Sequence, residues 1–515
     1  MVTKSPKAAP KPPTTAPLSS IDRYFGITRR GSTVAREVRG GLVTFFTMVY
    51  IVALNPLIIG TTGDKNGYLV SGLPWKDAAG QVIGANVGIT IGMVAAATAL
   101  IAGVMTILMG LVGRFPIGLA TGLGLNAILA YVIAPKMTWP QAMGLIVIEG
   151  ALITVFVLTG VRAAIFRAVP QALRTGISVG IGLFIAFVGV VDAGIVRRPA
   201  SPSGPPVELG LNGSLVGWPM AVFVAGLMLL ILLFVRRVKG AMLIAIAAAS
   251  VAALIVESFT HLGSRVDNPL GWSLIVPTLP AWSDFAAPNL SLLGRVDLFG
   301  GFAPNGTFDW NVALGVVLLI FALMLSDFFD TMGTVVAVGA EGNLLDGRGN
   351  PPHVTEILLV DSVAAMAGGL GSVSSNTSYI ESAAGVGEGA RTGLASVVTG
   401  AGFLVALLLA PIVKIVPSEA AAPALFFVGF LMMSQVLQVD WDEPDDGIPA
   451  FITMVLMPFT YSITTGIGAG FITYVAIKLM RGRGNQVHPL LYAVAALFLV
   501  YFAQGLLLGF LNPPK

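Results

Sequence analysis

The sequence has 515 residues, of which 55% are hydrophobic and 11% are charged, and it contains 62 glycines and no cysteine. Soluble domains carry charge on about a quarter of their residues. The composition therefore excludes a soluble globular protein and predicts an all-α polytopic membrane protein, with the lipid bilayer as its surroundings. The lack of cysteine excludes disulfide bonds and thiolate metal sites. The net charge of +3 comes without a basic, aromatic-rich surface pattern, so we expect no nucleic-acid partner.

The chain begins with residues 1–35, which we interpret as a cytosolic N-terminal tail followed by a basic interfacial segment. The first 20 residues are rich in Pro, Thr and Lys and lack the apolar stretch of a cleaved signal peptide. Roughly 20 apolar residues span a bilayer, and on that basis we count about 14 spans in the rest of the chain. Basic residues recur in alternate loops, which places the N-terminus in the cytosol.

Two segments are interrupted by Gly, Pro or hydroxylated residues at corresponding places in the two halves of the sequence. Residues 115–127 read FPIGLATGLGLNA, and residues 371–385 read GSVSSNTSYIESAAG. Each predicts a short extended strand followed by a half-helix, in the third and the tenth span. Such a pair indicates a transporter with inverted repeats and a binding site near the bilayer midplane. Close helix packing is the alternative explanation of the glycines.

Acidic residues within the spans are the main candidate site residues, because a carboxylate in hydrocarbon is costly and usually faces a cavity or a partner. Asp330 and Glu381 are the strongest candidates, either to bind the N–H edge of a heterocycle or to carry a coupling proton. The alternative is a buried structural pair. Asp327 has a proton-coupling or a structural role, Asn126 binds ligand or braces the half-helix, and Thr331 has either role.

Other polar residues have simpler interpretations. We assign Glu149 to packing against a backbone donor, with a role as a second proton-carrying group as the alternative, and Asp361 to a structural role. The chain has no phosphate-binding G-x-x-x-x-G-K-[ST] loop, so it contains no ATP motor. Its three histidines are scattered and predict no metal site. It lacks the GxGD sequence of intramembrane aspartyl proteases, which disfavours that class of enzyme.

The end of the chain has two possible topologies. Residues 448–480 form either two short helices that turn near Thr465 or one long helix. In the first case residues 490–510 are an additional segment, and in the second case they are the fourteenth span. The arginines that follow Met480 should lie in the cytosol, which holds if residues 448–480 form two short helices.

Four stretches of the sequence resemble the AzgA-type purine permeases, which belong to the nucleobase–cation symporter group together with the nucleobase–ascorbate transporters. They are DFFDTMGT at 327–334, SYIESAAGVGEGARTG at 378–393, GLGLNA at 122–127 and IPAFITMVLMPFTYSI at 448–463. The resemblance extends from about residue 21 to residue 510. The chain departs from the family pattern in both predicted strands, where Thr121 precedes GLGLNA and GSVSSN precedes TSYIES.

The resemblance implies 14 segments in two inverted repeats of seven. A core domain would comprise residues 36–161 and 310–416, a gate domain residues 162–262 and 417–515, and residues 263–309 an extracellular loop. It implies a multi-pass protein of the plasma or inner membrane that forms a homodimer through its gate domains. It also implies that the core moves against the gate as an elevator.

The resemblance further implies a transporter, not an enzyme, that imports adenine, guanine or hypoxanthine by proton symport, with sodium as the less favoured coupling ion and no cofactor. The implied polar contacts come from the third, eighth and tenth segments. The predicted substrate-binding residues are Asn126, Asp330, Thr331, Ser378, Glu381 and Ser382, and the proton-coupling candidates are Asp327, Asp330 and Glu381. A same-fold carrier for uracil, xanthine or a small anion is the alternative function.

Overall fold

A computed structural model of the chain describes residues 19–160, 169–199, 206–265, 267–273, 275–281, 287–303, 310–346 and 351–511. The predicted N-terminal tail therefore lies outside the described residues up to position 18. Residues 162–168, at the start of the predicted gate domain, lie outside them as well, and so do residues 304–309, at the end of the predicted extracellular loop.

Most of the described residues are helical. In chain order the helices are α1 (Ser20–Phe25), α2 (Val34–Met48), α3 (Ile51–Ile59), α4 (Gly84–Leu108), α5 (Leu123–Ala127), α6 (Trp139–Thr159), α7 (Gln171–Asp192), α8 (Trp218–Val235), α9 (Ala241–Thr260), α10 (Trp310–Glu341), α11 (Val354–Leu370), α12 (Ser382–Gly387), α13 (Gly393–Leu408), α14 (Ser418–Met433), α15 (Pro444–Phe459), α16 (Ile463–Met480) and α17 (Pro489–Leu511). The short strands are β1 (Leu119–Thr121), β2 (Val196–Arg197), β3 (Glu208–Leu209) and β4 (Asn376–Ser378).

Nine helical segments among the described residues are long and apolar enough to cross a membrane. Shorter apolar helices, including α13 and most of α17, add to them. The chain is therefore a multi-pass membrane protein. The helix α10 has 32 residues and, at about 1.5 Å per residue, is about 48 Å long. It is longer than the hydrocarbon core of about 30 Å, and its two aspartates lie near its middle.

The helices pack in two groups, each of which takes members from both halves of the sequence. The first group contains α2–α6 and α10–α13, in which α4 and α2 pack on α13 and α6 packs on α11. The second contains α7–α9 and α14–α16, in which α7 packs on α14 and α15. Strand β1 of the first half pairs antiparallel with β4 of the second half. This arrangement is that of two inverted repeats, because corresponding strands related by a twofold axis in the membrane plane run in opposite directions.

Residues 448–480 form parts of two helices, which decides between the two topologies given above. Helix α15 ends at Phe459, and α16 begins at Ile463 after Ser462, whose side chain accepts a hydrogen bond from the backbone N–H of Thr465. The break falls a few residues before the predicted turn at Thr465, where Tyr461 has a φ of 51°. Helix α17 is therefore an additional segment after α16.

The two groups of helices contact each other through specific polar pairs. The Tyr131 hydroxyl, in the continuation of α5, donates a hydrogen bond of 2.7 Å to Oδ2 of Asp192 at the end of α7. Lys239, between α8 and α9, forms an ion pair with Glu388, which directly follows α12. These pairs link the group that contains the strand pair to the other group.

Candidate functional site

The site is built around the pairing of β1 with β4, which brings the two broken segments together. Leu119 lies opposite Ser378, and Thr121 lies opposite Asn376. All six strand residues are buried, as is required for non-helical backbone at membrane depth. Just before β4, Ser374 adopts a φ of 76°, a left-handed conformation that is uncommon for a residue other than glycine and is often found at functional sites. Both predicted segments thus contain a strand and a following short helix.

Hydroxyl groups from neighbouring helices hold the strand pair in place. The Thr106 hydroxyl of α4 donates to the carbonyl oxygen of Leu119 and accepts from the same residue's N–H, each at 2.9 Å. Ser382 accepts a hydrogen bond of 2.9 Å from the N–H of Gly118. The predicted substrate-binding residue Ser382 is therefore engaged in bracing the strand that precedes α5.

Glu381 lies between β4 and α12 and is half-buried. The Tyr50 hydroxyl donates a hydrogen bond of 2.5 Å to its Oε1. Tyr50 is 2% exposed and lies at the break between α2 and α3. Sequence reasoning missed this residue, because the only signal available was a tyrosine in an otherwise apolar span. The contact fixes one oxygen of Glu381 and leaves the carboxylate accessible.

Asp330 lies deep in the protein, on α10, yet its side chain is solvent-accessible. It lies close enough to Glu381 and to Asp361 for their charges to interact. We call Asp330 and Glu381 together the carboxylate site. The described groups that act on their charges are acidic groups, the Tyr50 hydroxyl and the backbone of Glu381 itself.

Asp361 of α11 organises the hydroxyl groups beside this site. Its Oδ2 accepts a hydrogen bond of 2.7 Å from Thr331, and its Oδ1 accepts one of 2.8 Å from Ser378. The Thr331 hydroxyl is also 2.8 Å from that of Thr377. Two predicted substrate-binding residues, Thr331 and Ser378, are thus brought close to the carboxylate site, with their hydroxyls bonded to a common carboxylate.

Asn126 is fully buried in α5. Its Nδ2 donates to the Thr121 hydroxyl at 3.2 Å, whereas its Oδ1 has no hydrogen-bond partner among the described residues. The same holds for the side-chain hydroxyls of Ser374 and Ser375 and for both amide atoms of Asn376. Buried polar groups without a partner are costly. These atoms on the strand pair are therefore available to a polar ligand or to water.

The structure separates Asp327 from Asp330, although the two residues lie three apart on α10. Asp327 is 1% exposed and interacts electrostatically with Glu149 of α6. Glu149 is 0% exposed, and neither of its carboxylate oxygens has a hydrogen-bond partner among the described residues. The backbone donor that we expected for Glu149 is thus absent from this part of the structure, and that expectation is wrong.

Comparison with known proteins identifies relatives that cover most of the chain. Residues 80–469 match the model of a family described as "Permease family". The chain is 35% identical to adenine permease AdeQ of Escherichia coli over 93% of this chain and 95% of that protein. It is 34% identical to guanine/hypoxanthine permease PbuG of Bacillus subtilis over 93% of this chain and 98% of that protein. These relatives are permeases and not enzymes.

Solved structures with the same fold are more distant in sequence. The transmembrane domain of the cyanobacterial bicarbonate transporter BicA matches with a TM-score of 0.56 and 14% identity, over 85% of this chain and 97% of that one. The murine anion transporter Slc26a9 in the inward-facing state matches with a TM-score of 0.55 and 10% identity, over 92% of this chain and 74% of that one. Both similarities concern the fold.

Proposed function

The chain belongs to the permease family that includes the adenine and guanine/hypoxanthine permeases, and from this membership we propose that it imports purine nucleobases by proton symport. Adenine, guanine and hypoxanthine are the proposed substrates. The named substrates of the bacterial relatives support this assignment. The protein would work in the plasma or inner membrane with its N-terminus in the cytosol.

The observation that carries the proposal is the carboxylate site at the crossing of the two broken segments. An ionised carboxylate accepts hydrogen bonds and donates none. Asp330 and Glu381 are therefore suited to bind the N–H groups of a purine. Asn126, whose Oδ1 has no partner among the described residues, adds an acceptor nearby on α5. A pyrimidine, with fewer ring atoms, leaves some of these polar groups unpaired, and such groups reject a poorly matched ligand strongly.

A small-anion carrier is the same-fold alternative, because the bicarbonate transporter BicA has a similar fold. Anion binding would place a cationic group or a set of N–H donors against the ligand. The described groups that act on the charges of Asp330 and Glu381 are carboxyls, the Tyr50 hydroxyl and the backbone of Glu381 itself, and none of them is a cation. This negative environment favours a neutral heterocycle over an anion. A carrier for uracil or xanthine differs only in the shape of the ligand and is tested directly by uptake.

Alternating access supplies the movement in this proposal. We assign residues 36–161 and 310–416 to a core domain and residues 162–262 and 417–515 to a gate domain, with residues 263–309 as an external loop. The two groups of packed helices support this division, because the strand pair and the carboxylate site lie within the first group. The Tyr131–Asp192 and Lys239–Glu388 contacts would break in turn as the core moves. We place a homodimer contact on the gate domains.

Proton coupling is the third element of the proposal. Asp327, Asp330 and Glu381 are the candidate groups, because each is an acidic side chain within the membrane-spanning part of the protein. Proton binding removes the charge of such a group, and an uncharged carboxyl is far less costly to move through an apolar environment. Sodium coupling remains the competing outcome of the experiment.

The test is uptake of labelled adenine, guanine, hypoxanthine, xanthine and uracil by cells that lack their own nucleobase permeases. We expect saturable uptake of at least one of the first three, abolished when the proton gradient is dissipated. Uptake of none of these compounds, or of uracil alone, would refute the assignment as a purine importer. Accumulation that follows the sodium gradient would overturn proton coupling.

Two variants test the carboxylate site. Glu381→Gln and Asp330→Asn should each abolish uptake while the amount of protein in the membrane stays normal. Glu341→Gln is the matched control, since Glu341 lies at the exposed end of the same helix as Asp330. Wild-type uptake rates in both site variants would refute the proposed binding roles.

A further inference from the structure

Glu149 is a fully buried acid that the proposed substrate site does not use. It lies in the middle of α6, and the adjacent Gly150 brings α6 into close contact with α11. A Cβ atom at Gly150 would lie 2.7 Å from the backbone nitrogen of Met366 and 3.0 Å from the carbonyl oxygen of Ser362. One turn further on, the Thr154 hydroxyl donates to that of Ser362 at 3.0 Å. The tight fit fixes the position of Glu149 against the helix that carries Asp361.

Three acids from three helices meet at this place. The titratable groups that act on Glu149 are Asp327 of α10 and Asp361 of α11. Both are 1% exposed, and Glu149 is 0% exposed. We call Glu149, Asp327 and Asp361 the acidic cluster. Negative charges on neighbouring acids in a poorly solvated environment repel one another, which favours protonation of at least one of the three acids.

The hydrogen bonds within the cluster distinguish Glu149 from Asp361. Asp361 accepts hydrogen bonds on both oxygens, from Thr331 and Ser378, and such donors stabilise an ionised carboxylate. Glu149 accepts none from the described residues on either oxygen. A charged carboxylate without donors is much more costly to bury than a neutral carboxyl group. Of these two acids, Glu149 is therefore the one whose neutral form fits this conformation.

A bound metal ion explains the cluster less well than a proton does. Hard cations such as Mg²⁺ and Ca²⁺ require six or more oxygen ligands arranged around one point. Among the residues that the structure describes, no group of three or more acidic or histidine side chains has the geometry to hold a metal ion. The proton is the cation that needs only a single carboxylate oxygen.

On the basis of the proposed function, we propose that Glu149 carries the transported proton in place of the candidates Asp327, Asp330 and Glu381, separately from the carboxylate site that binds the purine. The proton binds to one carboxylate oxygen of Glu149, and the neutral acid moves with the core. When the cluster is hydrated on the cytosolic side, the O–H bond breaks, the proton passes to water and Glu149 is left as the carboxylate.

Asp361 couples this proton to the substrate. Its two oxygens bind the hydroxyls of Thr331 and Ser378, and Ser378 lies in the strand that precedes Glu381. A purine that displaces these hydroxyls changes the donors available to Asp361. This alters the repulsion between Asp361 and Glu149 and thereby the affinity of Glu149 for its proton. Asp361 is a positioning residue in this scheme, and Glu149 contacts neither the purine nor the carboxylate site.

The experiment separates purine translocation from proton coupling in proteoliposomes that contain the purified full-length protein. Exchange of labelled for unlabelled purine across the membrane needs substrate binding and movement, whereas accumulation under an imposed proton gradient also needs coupling. In Glu149→Gln we expect exchange to persist and proton-driven accumulation to be lost, so that the internal purine concentration never exceeds the external one. Glu149→Asp should restore part of the accumulation.

Glu419→Gln is the matched control. Glu419 is also a fully buried glutamate, but it lies on α14 and its Oε1 accepts a hydrogen bond of 2.8 Å from the backbone N–H of Ser273. We expect this variant to retain proton-driven accumulation. If Glu149→Gln accumulates purine as well as the wild type does, the role of Glu149 is wrong and the proposed function stands. If the wild-type protein neither exchanges nor accumulates purines, the proposed function fails, and the role of Glu149 fails with it.

A second measurement covers the case in which Glu149→Gln does not fold. Dicyclohexylcarbodiimide modifies protonated carboxyl groups in apolar surroundings, and peptide mass mapping of the wild-type protein locates the modified residue. We expect modification of Glu149 that abolishes accumulation and leaves purine exchange intact. Loss of accumulation with an unmodified Glu149 would overturn the proposal.

Discussion

Replacing Tyr50 with phenylalanine removes one atom, the hydroxyl oxygen that donates a hydrogen bond of 2.5 Å to Oε1 of Glu381. The aromatic ring stays, and because Tyr50 is 2% exposed and belongs to the main apolar core, its packing is unchanged. The variant therefore tests a single interaction. Glu381 lies between a strand and a helix of only six residues, so the Tyr50 hydroxyl is a principal restraint on the direction of its carboxylate.

The size of the effect follows from the type of hydrogen bond. A hydrogen bond to a charged group contributes about 1.5–3 kcal/mol, and each 1.36 kcal/mol corresponds to about a tenfold change in an equilibrium constant. If Glu381 must be held in place to receive the purine, Tyr50→Phe should weaken purine binding by about 10- to 100-fold. The maximal rate of transport should fall less than the affinity, since the carboxylate itself remains.

The assay is titration of the purified protein with adenine, guanine and hypoxanthine, together with the concentration dependence of uptake. Tyr492→Phe is the matched control, because its hydroxyl donates at 2.9 Å to the carbonyl oxygen of Gly484, far along the chain in the C-terminal segment. The control should bind purine with wild-type affinity. Equal affinities for Tyr50→Phe and the wild type would show that Glu381 does not need this hydrogen bond and would refute the reasoning.

Two further variants test packing and gating. Gly385→Ala would place a Cβ atom 2.3 Å from a carbonyl oxygen of α2. Overpacking of this kind costs about 1–3 kcal/mol and should lower the melting temperature. Gly333→Ala is the control, because the new atom has open space around it, and it should leave the melting temperature unchanged. An equal melting temperature for both variants would contradict this packing. Tyr131→Phe should weaken the contact between the helix groups at Asp192. Because the chain has no cysteine, a Ser418→Cys substitution in the small cleft beside Asp192 provides a single labelling site. This cysteine should react faster with a thiol reagent when Tyr131→Phe is also present. An unchanged labelling rate would argue against the contact acting as a gate.

Much of the fold is predictable because the membrane restricts the choices. Long apolar stretches must form helices, and the stretches that contain Gly, Pro, Ser and Thr at corresponding places in the two halves must be buried within the protein. The two broken segments contain β1 and β4, and the acidic residues Asp330 and Glu381 were recognisable since acids are rare in apolar spans. The relatives then confirm the permease family that the motifs indicated.

Contacts between segments far apart in the sequence were not predictable. Tyr50 and Glu381 are separated by 331 positions, and a single tyrosine in a span is usually a packing residue. The sequence ranked Asp330 above Asp327 as a site residue, but residues three apart on a helix lie on neighbouring faces, so it did not show what each of them contacts. In the structure Asp330 interacts with Asp361 and Glu381, whereas Asp327 interacts with Glu149, because different helices lie against the two faces. No local sequence pattern shows which helix packs against each face.

Main-chain hydrogen bonds hold β1 against β4, and they do not depend on side-chain identity. A substitution at Thr121 or Asn376 can therefore change the groups offered to a ligand without dissolving the strand pair that carries them. In evolutionary terms, side chains on such a strand pair can change by single steps while the protein remains folded. The departures from the family pattern in these strands are changes that this architecture readily tolerates.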